Sequence, residues 1–261
     1  MKIRTFIPDH FISNYVSGIF VIENYKSDLE FTLPLFANGS PTLVFNSARS
    51  TDRNKNFNHL TLFGQTITPN ELIIKGEFIL IAYYFYPYAL NSLFGIDAGE
   101  LTNDHMEMIF LKQVKEHYLQ EQLLNASSLQ GRLALLNDFI TQLINRGIIT
   151  NSKIEYVTKK IKNSNGQILL TDIYKELNIT ERTLQRMFET NVGISPKMYS
   201  RICRFDAALK QLNNLSSSGL VDVAYDNGFS DQSHFGRVFK EFTNLTPTLY
   251  LEKVRSLPLD L

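Results

Sequence analysis

The feature that most limits what this 261-residue chain can fold into is an internal repeat towards its C-terminal end. Leu170-Thr171-Asp172-Ile173 lines up with Leu220-Val221-Asp222-Val223 at an offset of fifty residues, as Ile179-Thr180 does with Phe229-Ser230. After a one-residue slip, Leu184 matches Phe235, Phe188 matches Phe239, Ser195-Pro196 matches Thr246-Pro247 and Tyr199 matches Tyr250. A repeat of this length implies two copies of one supersecondary unit. Each copy opens with a short helix (Ile173 to Leu177; Val223 to about Asn227), passes a residue able to take positive φ (Asn178; Gly228) and restarts at an N-cap (Thr180; Ser230). That order is helix-turn-helix. Ser195-Pro196 and Thr246-Pro247 announce a further helix in each copy, with proline in the first turn. Tyr199, Ile202, Phe205, Leu209 and Leu212 recur at helical spacing and predict a long helix tying the two motifs together.

The outer faces of the second helices carry the chemistry. With Leu184, Met187 and Phe188 turned inward, Arg182, Gln185 and Arg186 are left together outside. In the second copy Phe235, Val238 and Phe239 turn inward and leave Gln232, Ser233, Gly236 and Arg237 outside, Gly236 permitting close backbone approach. Arginine makes two hydrogen bonds to guanine and glutamine two to adenine at major-groove edges, so both sets suit base reading. An isolated polar helix face is more often plain solvated surface, and it is the repetition that favours the interface. His234 follows the N-cap and has two readings, a phosphate or base contact and an intramolecular hydrogen bond, the second the commoner. Lys197, Arg201, Arg204, Lys240 and Lys253 are phosphate candidates only because basic residues near such helices often are.

The rest of the chain has a different period. Phe20 to Glu23, Pro41 to Asn46, Leu60 to Phe63, Glu71 to Ile74 and Phe78 to Phe85 read as strands separated by turn signals at Asn38-Gly39, Pro69-Asn70 and Lys75-Gly76, which predicts a β-rich sandwich or barrel. A short helix, Tyr88 to Phe94, is expected to start with Pro87 at its first position and stop at Gly95. From about Asn103, the residues Met106, Ile109, Val114 and Leu123, then Leu133, Leu136, Phe139, Ile140, Leu143 and Ile144, predict amphipathic helices ending at Gly147. The expected organisation is α+β: a β-rich unit over 1–105, a helical connector over 106–150 that either mediates a homodimer or docks on that unit, and an all-α domain over 151–261 with two helix-turn-helix motifs. The second unit should begin near Asn151-Ser152.

Charge follows the same division. Residues 1–151 hold 11 Lys+Arg against 14 Asp+Glu, net −3, and residues 152–255 hold 15 against 11, net +4. A basic C-terminal part is the sign that a polyanion partner requires. The longest uncharged apolar run, Phe78 to Leu90, is thirteen residues and contains Pro87, too short for a membrane span. Early charges at Lys2, Arg4 and Asp9, with no apolar segment behind them, argue against a secretory signal, and the single cysteine, Cys203, fits a reducing compartment, so a cytoplasmic location without membrane contact is expected. No dinucleotide or phosphate-loop motif, nucleophile elbow or HExxH zinc motif appears, so neither an enzyme nor a cofactor is expected.

The stretch from about Ile154 to Arg255 resembles the AraC/XylS family of bacterial transcription regulators. The likeness rests on Leu184-Gln185-Arg186-Met187-Phe188 and Gly193-Ile194-Ser195-Pro196 in the first half. The second half adds Ala224, Gly228-Phe229-Ser230-Asp231-Gln232-Ser233-His234-Phe235, Arg237-Val238-Phe239-Lys240, and Leu245-Thr246-Pro247 with Tyr250. The resemblance implies two helices entering adjacent major grooves of double-stranded DNA, with Arg182, Gln185, Arg186, Gln232, Ser233, His234 and Arg237 at positions that match base-contacting ones. The chain departs from the pattern at Tyr174, Asn178 and Glu181. RNA polymerase is a candidate further partner.

The N-terminal part resembles an uncharacterised cupin-like sensor domain found ahead of such DNA-binding domains. Leu33-Pro34-Leu35-Phe36-Ala37-Asn38-Gly39, Thr42-Leu43-Val44-Phe45-Asn46, Phe63-Gly64-Gln65, Tyr84-Phe85-Tyr86-Pro87 and Leu93-Phe94-Gly95 carry that likeness. The usual cupin metal constellation is absent, since His10, His59, His105 and His117 are isolated. Tyr83, Tyr84, Phe85, Tyr86 and Tyr88 suit either an apolar ligand pocket or, more often, plain core. Two functions follow: a transcription regulator controlled by a small-molecule effector of unknown identity, or a non-sensing DNA-binding protein whose N-terminal domain serves dimerisation or protein contact.

Overall fold

The structure is a computed structural model that describes residues 1–28, 30–52, 55–146, 152–214 and 219–256. Its N-terminal part is built of strands β1 (Lys2–Phe6), β2 (Val16–Asn24), β3 (Glu30–Leu35), β4 (Thr42–Asn46), β5 (Ser50–Thr51), β6 (Asn56–Phe57), β7 (Leu60–Phe63), β8 (Asn70–Lys75), β9 (Phe78–Phe85) and β10 (His105–Glu107). Two antiparallel sheets result, one in the order β1-β2-β9-β4-β7-β10 and one in the order β3-β8-β5-β6.

Both faces of the larger sheet are covered. Ile81, Tyr83 and Phe85 of β9 point into one core with Leu43, Phe45, Leu60 and Leu62, while Phe78, Leu80 and Ala82 point into a second core with Leu72 and Ile74 of the smaller sheet. A strand buried on both sides needs no polar alternation, which is why β9 reads as a continuous apolar run. Strand β3 contains Pro34, which offers no N–H, and it lies at the edge of its sheet, where that loss is tolerated.

The helices are α1 (Ala89–Phe94), α2 (Lys112–Glu116), α3 (Leu119–Asn125), α4 (Leu129–Arg146), α5 (Ser152–Asn163), α6 (Leu170–Leu177), α7 (Glu181–Val192), α8 (Pro196–Asn213), α9 (Leu220–Asp226), α10 (Gln232–Thr243) and α11 (Pro247–Ser256). Helix α1 is capped by left-handed Gly95 as expected, but Pro87 lies in the turn before it and Ala89 is its first residue. Met106 sits in β10, paired with Leu62, so the amphipathic pattern begins one strand before the first connector helix. The expected stop at Gly147 lies outside the described residues. Helix α4 buries Leu136, Phe139, Ile140 and Leu143 in the same core as the larger sheet, and Tyr83 donates from its hydroxyl to Asn137 Oδ1 at 2.7 Å. The connector therefore docks on the sheet.

Helices α5 to α11 share a separate core, into which Ala37 and Tyr88 of the N-terminal part also pack. Two helix-turn-helix units, α6–α7 and α9–α10, flank α8, whose Phe205 meets Phe239 and Phe242 at ring separations of 5.5 and 5.2 Å. The turn residues behave as the repeat predicts, Asn178 at φ +49° and Gly228 at φ +70°.

Candidate nucleic-acid interface

Helix α7 starts where Thr180, in extended conformation, accepts the Thr183 amide on its hydroxyl at 3.2 Å. Burial of Leu184, Phe188 and Val192 then fixes the rotation of the helix, and Arg182, Gln185 and Arg186 stand exposed along a groove with Thr180, Glu181 and Glu189. Gln185 donates to Glu189 Oε1 at 3.0 Å, one turn further along the same helix. Arg182 and Arg186 make no salt bridge among the described residues. Glu181 occupies the first turn of α7, where a carboxylate is favoured by the helix dipole.

Helix α10 is capped one residue later than the sequence suggests. Its N-cap is Asp231 rather than Ser230: Asp231 Oδ1 accepts the His234 amide at 2.7 Å, and Ser230 supports that carboxylate from 3.1 Å. Those hydrogen bonds, the backbone one first, hold the Asp231 carboxyl below its ordinary range. Gln232, Ser233 and Arg237 are exposed and Gly236 is half-buried, while Phe235, Val238 and Phe239 are buried. A Cβ placed on Gly236 would meet nothing within 4 Å, so no internal contact requires glycine there. His234 is the exception within the set. It is half-buried, its Nδ1 lies 3.1 Å from the Ser230 hydroxyl, and its ring meets the edge of Phe229 at 5.5 Å.

The basic residues around these helices divide into two groups. Lys197, Lys240 and Lys253 are exposed. Arg201 is paired with Glu241 at 2.7 Å and stacked over Phe242, and Arg204 donates to the carbonyls of Gly166 and Gly228 at 3.0 and 3.2 Å. Two of the phosphate candidates are therefore tied into the fold. The Arg204 role was not visible in the sequence because its acceptors lie 38 and 24 residues away. Cys203 is buried on the same helix, and burial pushes its thiol up to about 12, so it stays protonated and inert.

In the N-terminal part the aromatic cluster is split by strand alternation. Tyr83 and Phe85 are core, Tyr88 donates to the Asn14 carbonyl at 2.6 Å, and Tyr84 alone of that set lines a cavity of about 80 Å³ between the two sheets, with Phe20, Val44, Leu72 and Leu80.

Comparison with known proteins follows the same division. Residues 173–253 match the helix-turn-helix domain family, and residues 4–107 match a domain of unknown function, DUF6597. An uncharacterized HTH-type transcriptional regulator of Staphylococcus aureus (strain MSSA476) is 26% identical over 161 residues, a stretch covering 59% of this chain and 22% of that protein. The HTH-type transcriptional activator RhaS of Escherichia coli is 31% identical over 75 residues, 29% of this chain and 27% of RhaS. The chain thus spans about a fifth to a quarter of the length of these curated relatives. ToxT from Vibrio cholerae O395 has the same fold, with a TM-score of 0.50 at 16% identity over 91% of this chain and 99% of ToxT. A ToxT structure bound to (E)-4-(8-methylnaphthalen-1-yl)but-3-enoic acid superimposes equally well, at 16% identity over 89% of this chain and 98% of that one. Both of these curated relatives carry the names of transcriptional regulators.

Proposed function

We propose that this chain, whose residues 173–253 are an AraC-type helix-turn-helix domain, is a sequence-specific DNA-binding transcription regulator under effector control. One observation carries the reading: two copies of one motif present equivalent exposed faces, Arg182, Gln185 and Arg186 on α7 and Gln232, Ser233 and Arg237 on α10, tied by the single helix α8. Those six residues are assigned to base edges, and His234 to shaping the start of α10. Lys197 and Lys240 are assigned to phosphates.

The effector half of the reading is supported by a bound organic acid in a ToxT structure of the same fold; the cavity beside Tyr84, about 80 Å³, would have to widen to admit such a molecule. The division at 105 and 151, a cytoplasmic location, and RNA polymerase or a second copy as further partners belong to the same proposal. No helix among the described residues is long and apolar enough to cross a membrane.

The test is selection of duplexes from a randomised library by the full chain, followed by affinity against salt. A two-part preferred site and a linear fall of log K with log salt are expected. Binding that is absent at low salt defeats the reading, and binding that no small molecule ever modulates leaves the non-sensing alternative in its place.

A further inference from the structure

The first reading helix is held by the N-terminal part, and among the described residues no bond ties the second to that part. Residues Ala98–Leu101 form a 3-10 turn whose Ala98 and Leu101 are buried in the core of the larger sheet. At the far side of that turn Thr102 donates its hydroxyl to the carbonyl of Gly193, the C-cap of α7, at 2.8 Å. A Cβ on Gly193 would lie 2.4 Å from the Ala98 carbonyl oxygen and 2.6 Å from Thr102 Oγ1, so the two backbones meet at a distance only glycine allows. Gly193 also has φ +86°, so two independent features require glycine here. Helix α1 packs on α7 as well, whereas α10 packs on α9 and α11 and, through Phe239 and Phe242, on Phe205 of α8. The contact engages the C-terminal end of α7 and leaves Arg182, Gln185 and Arg186 exposed, so it orients the helix without blocking its outer face.

We propose that Thr102 and Gly193 are positioning residues through which the N-terminal part sets the angle of α7, so that it governs base preference at the half-site α7 reads and not at the half-site of α10. This rests on the assignment of α7 and α10 to DNA. It explains how a change in the N-terminal part reaches the DNA through one helix, by a backbone-to-backbone contact that tolerates little slack.

The experiment uses the full chain with Thr102→Val, which removes the hydrogen bond, Thr102→Glu, which places a charge against the negative end of α7, and Thr102→Ser, which keeps the donor. Positions read by α7 are first identified as those relaxed by Arg186→Ala. In library selection, Thr102→Val and Thr102→Glu are expected to shift base preference about two- to tenfold at those positions only, with Thr102→Ser restoring the wild-type pattern. Equal shifts in both half-sites, or none, overturn the proposal. A second arm needs no DNA: amide hydrogen exchange in Phe188–Val192 should quicken about two- to tenfold in Thr102→Val while α10 is unchanged. Unchanged exchange in α7 overturns the positioning role even if the DNA assignment stands, and absence of any sequence preference with altered exchange counts against the DNA assignment alone.

Discussion

Arg186 and Arg237 occupy the same place in the repeat, fifty-one residues apart, and both stand exposed without a salt bridge among the described residues. Matched arginines on matched helices should read groups about one helical turn apart, roughly 34 Å, on one face of the duplex. Replacing either with alanine is expected to cost on the order of 1–3 kcal/mol on the preferred site and relax one position, Arg237→Ala being the more damaging because Glu181 and Tyr174 lie beside the start of α7. Library selection with each variant checks this, and an unchanged preference in both sinks the base-reading role. Gly236→Ala should stabilise α10 by about 0.5–1 kcal/mol in urea unfolding, since the space is open, while weakening DNA binding. Asp231 gives a pH signature. Its folded carboxyl titrates below the unfolded value, so its contribution is complete above the unfolded pKa and lost as pH falls through the folded one. Asp231→Asn retains a capping oxygen and should flatten the acid limb of a stability-versus-pH curve measured between about pH 2 and 6.

At the scale of elements, the helix-turn-helix units were legible because every signal is local: a cap, a positive-φ residue and an apolar spacing lie within one motif. Thr180, Asn178, Gly228, Ser195-Pro196 and Thr246-Pro247 all act where the repeat places them. The structure departs from local pattern where partners are distant or two caps compete. Ser230 and Asp231 are adjacent cap formers, and the backbone chose Asp231. Strands β1, β3, β5, β6 and β10 are not among those the sequence predicts; β5, β6 and β10 are only two or three residues long, and β3 contains Pro34, which a strand tolerates at a sheet edge. Arg204, one of several phosphate candidates in the sequence, holds the Gly166 and Gly228 turns together. Arg204→Met should therefore lower stability by about 2–3 kcal/mol in denaturant unfolding, the loss of two hydrogen bonds from a charged donor, before any effect on DNA. Lys240→Ala should behave oppositely, leaving stability unchanged, weakening all sequences alike and lowering the salt slope by about one.

For the whole molecule, the C-terminal core is nearly complete within α5 to α11 but receives Ala37 and Tyr88 from the N-terminal part. A fragment of residues 152–261 is expected to fold, by circular dichroism, and bind duplex DNA with the salt dependence of the full chain, at lower stability because the surface around Tyr199 and Ile202 that meets the Gly39 turn is left open. A folded fragment without DNA affinity at low salt contradicts this. By itself the sequence determined the two helix-turn-helix motifs, their linking helix, their exposed arginines and the β-rich character of the other part, because periodicity and capping are written in neighbouring residues. Only the tertiary structure decided which basic residues are tied into the fold, which aromatic residue lines a cavity, that the connector docks on the sheet, and that Thr102 grips Gly193 across 91 residues of chain. Those outcomes depend on distances between atoms far apart in sequence, set by how two cores pack, and no local pattern encodes them.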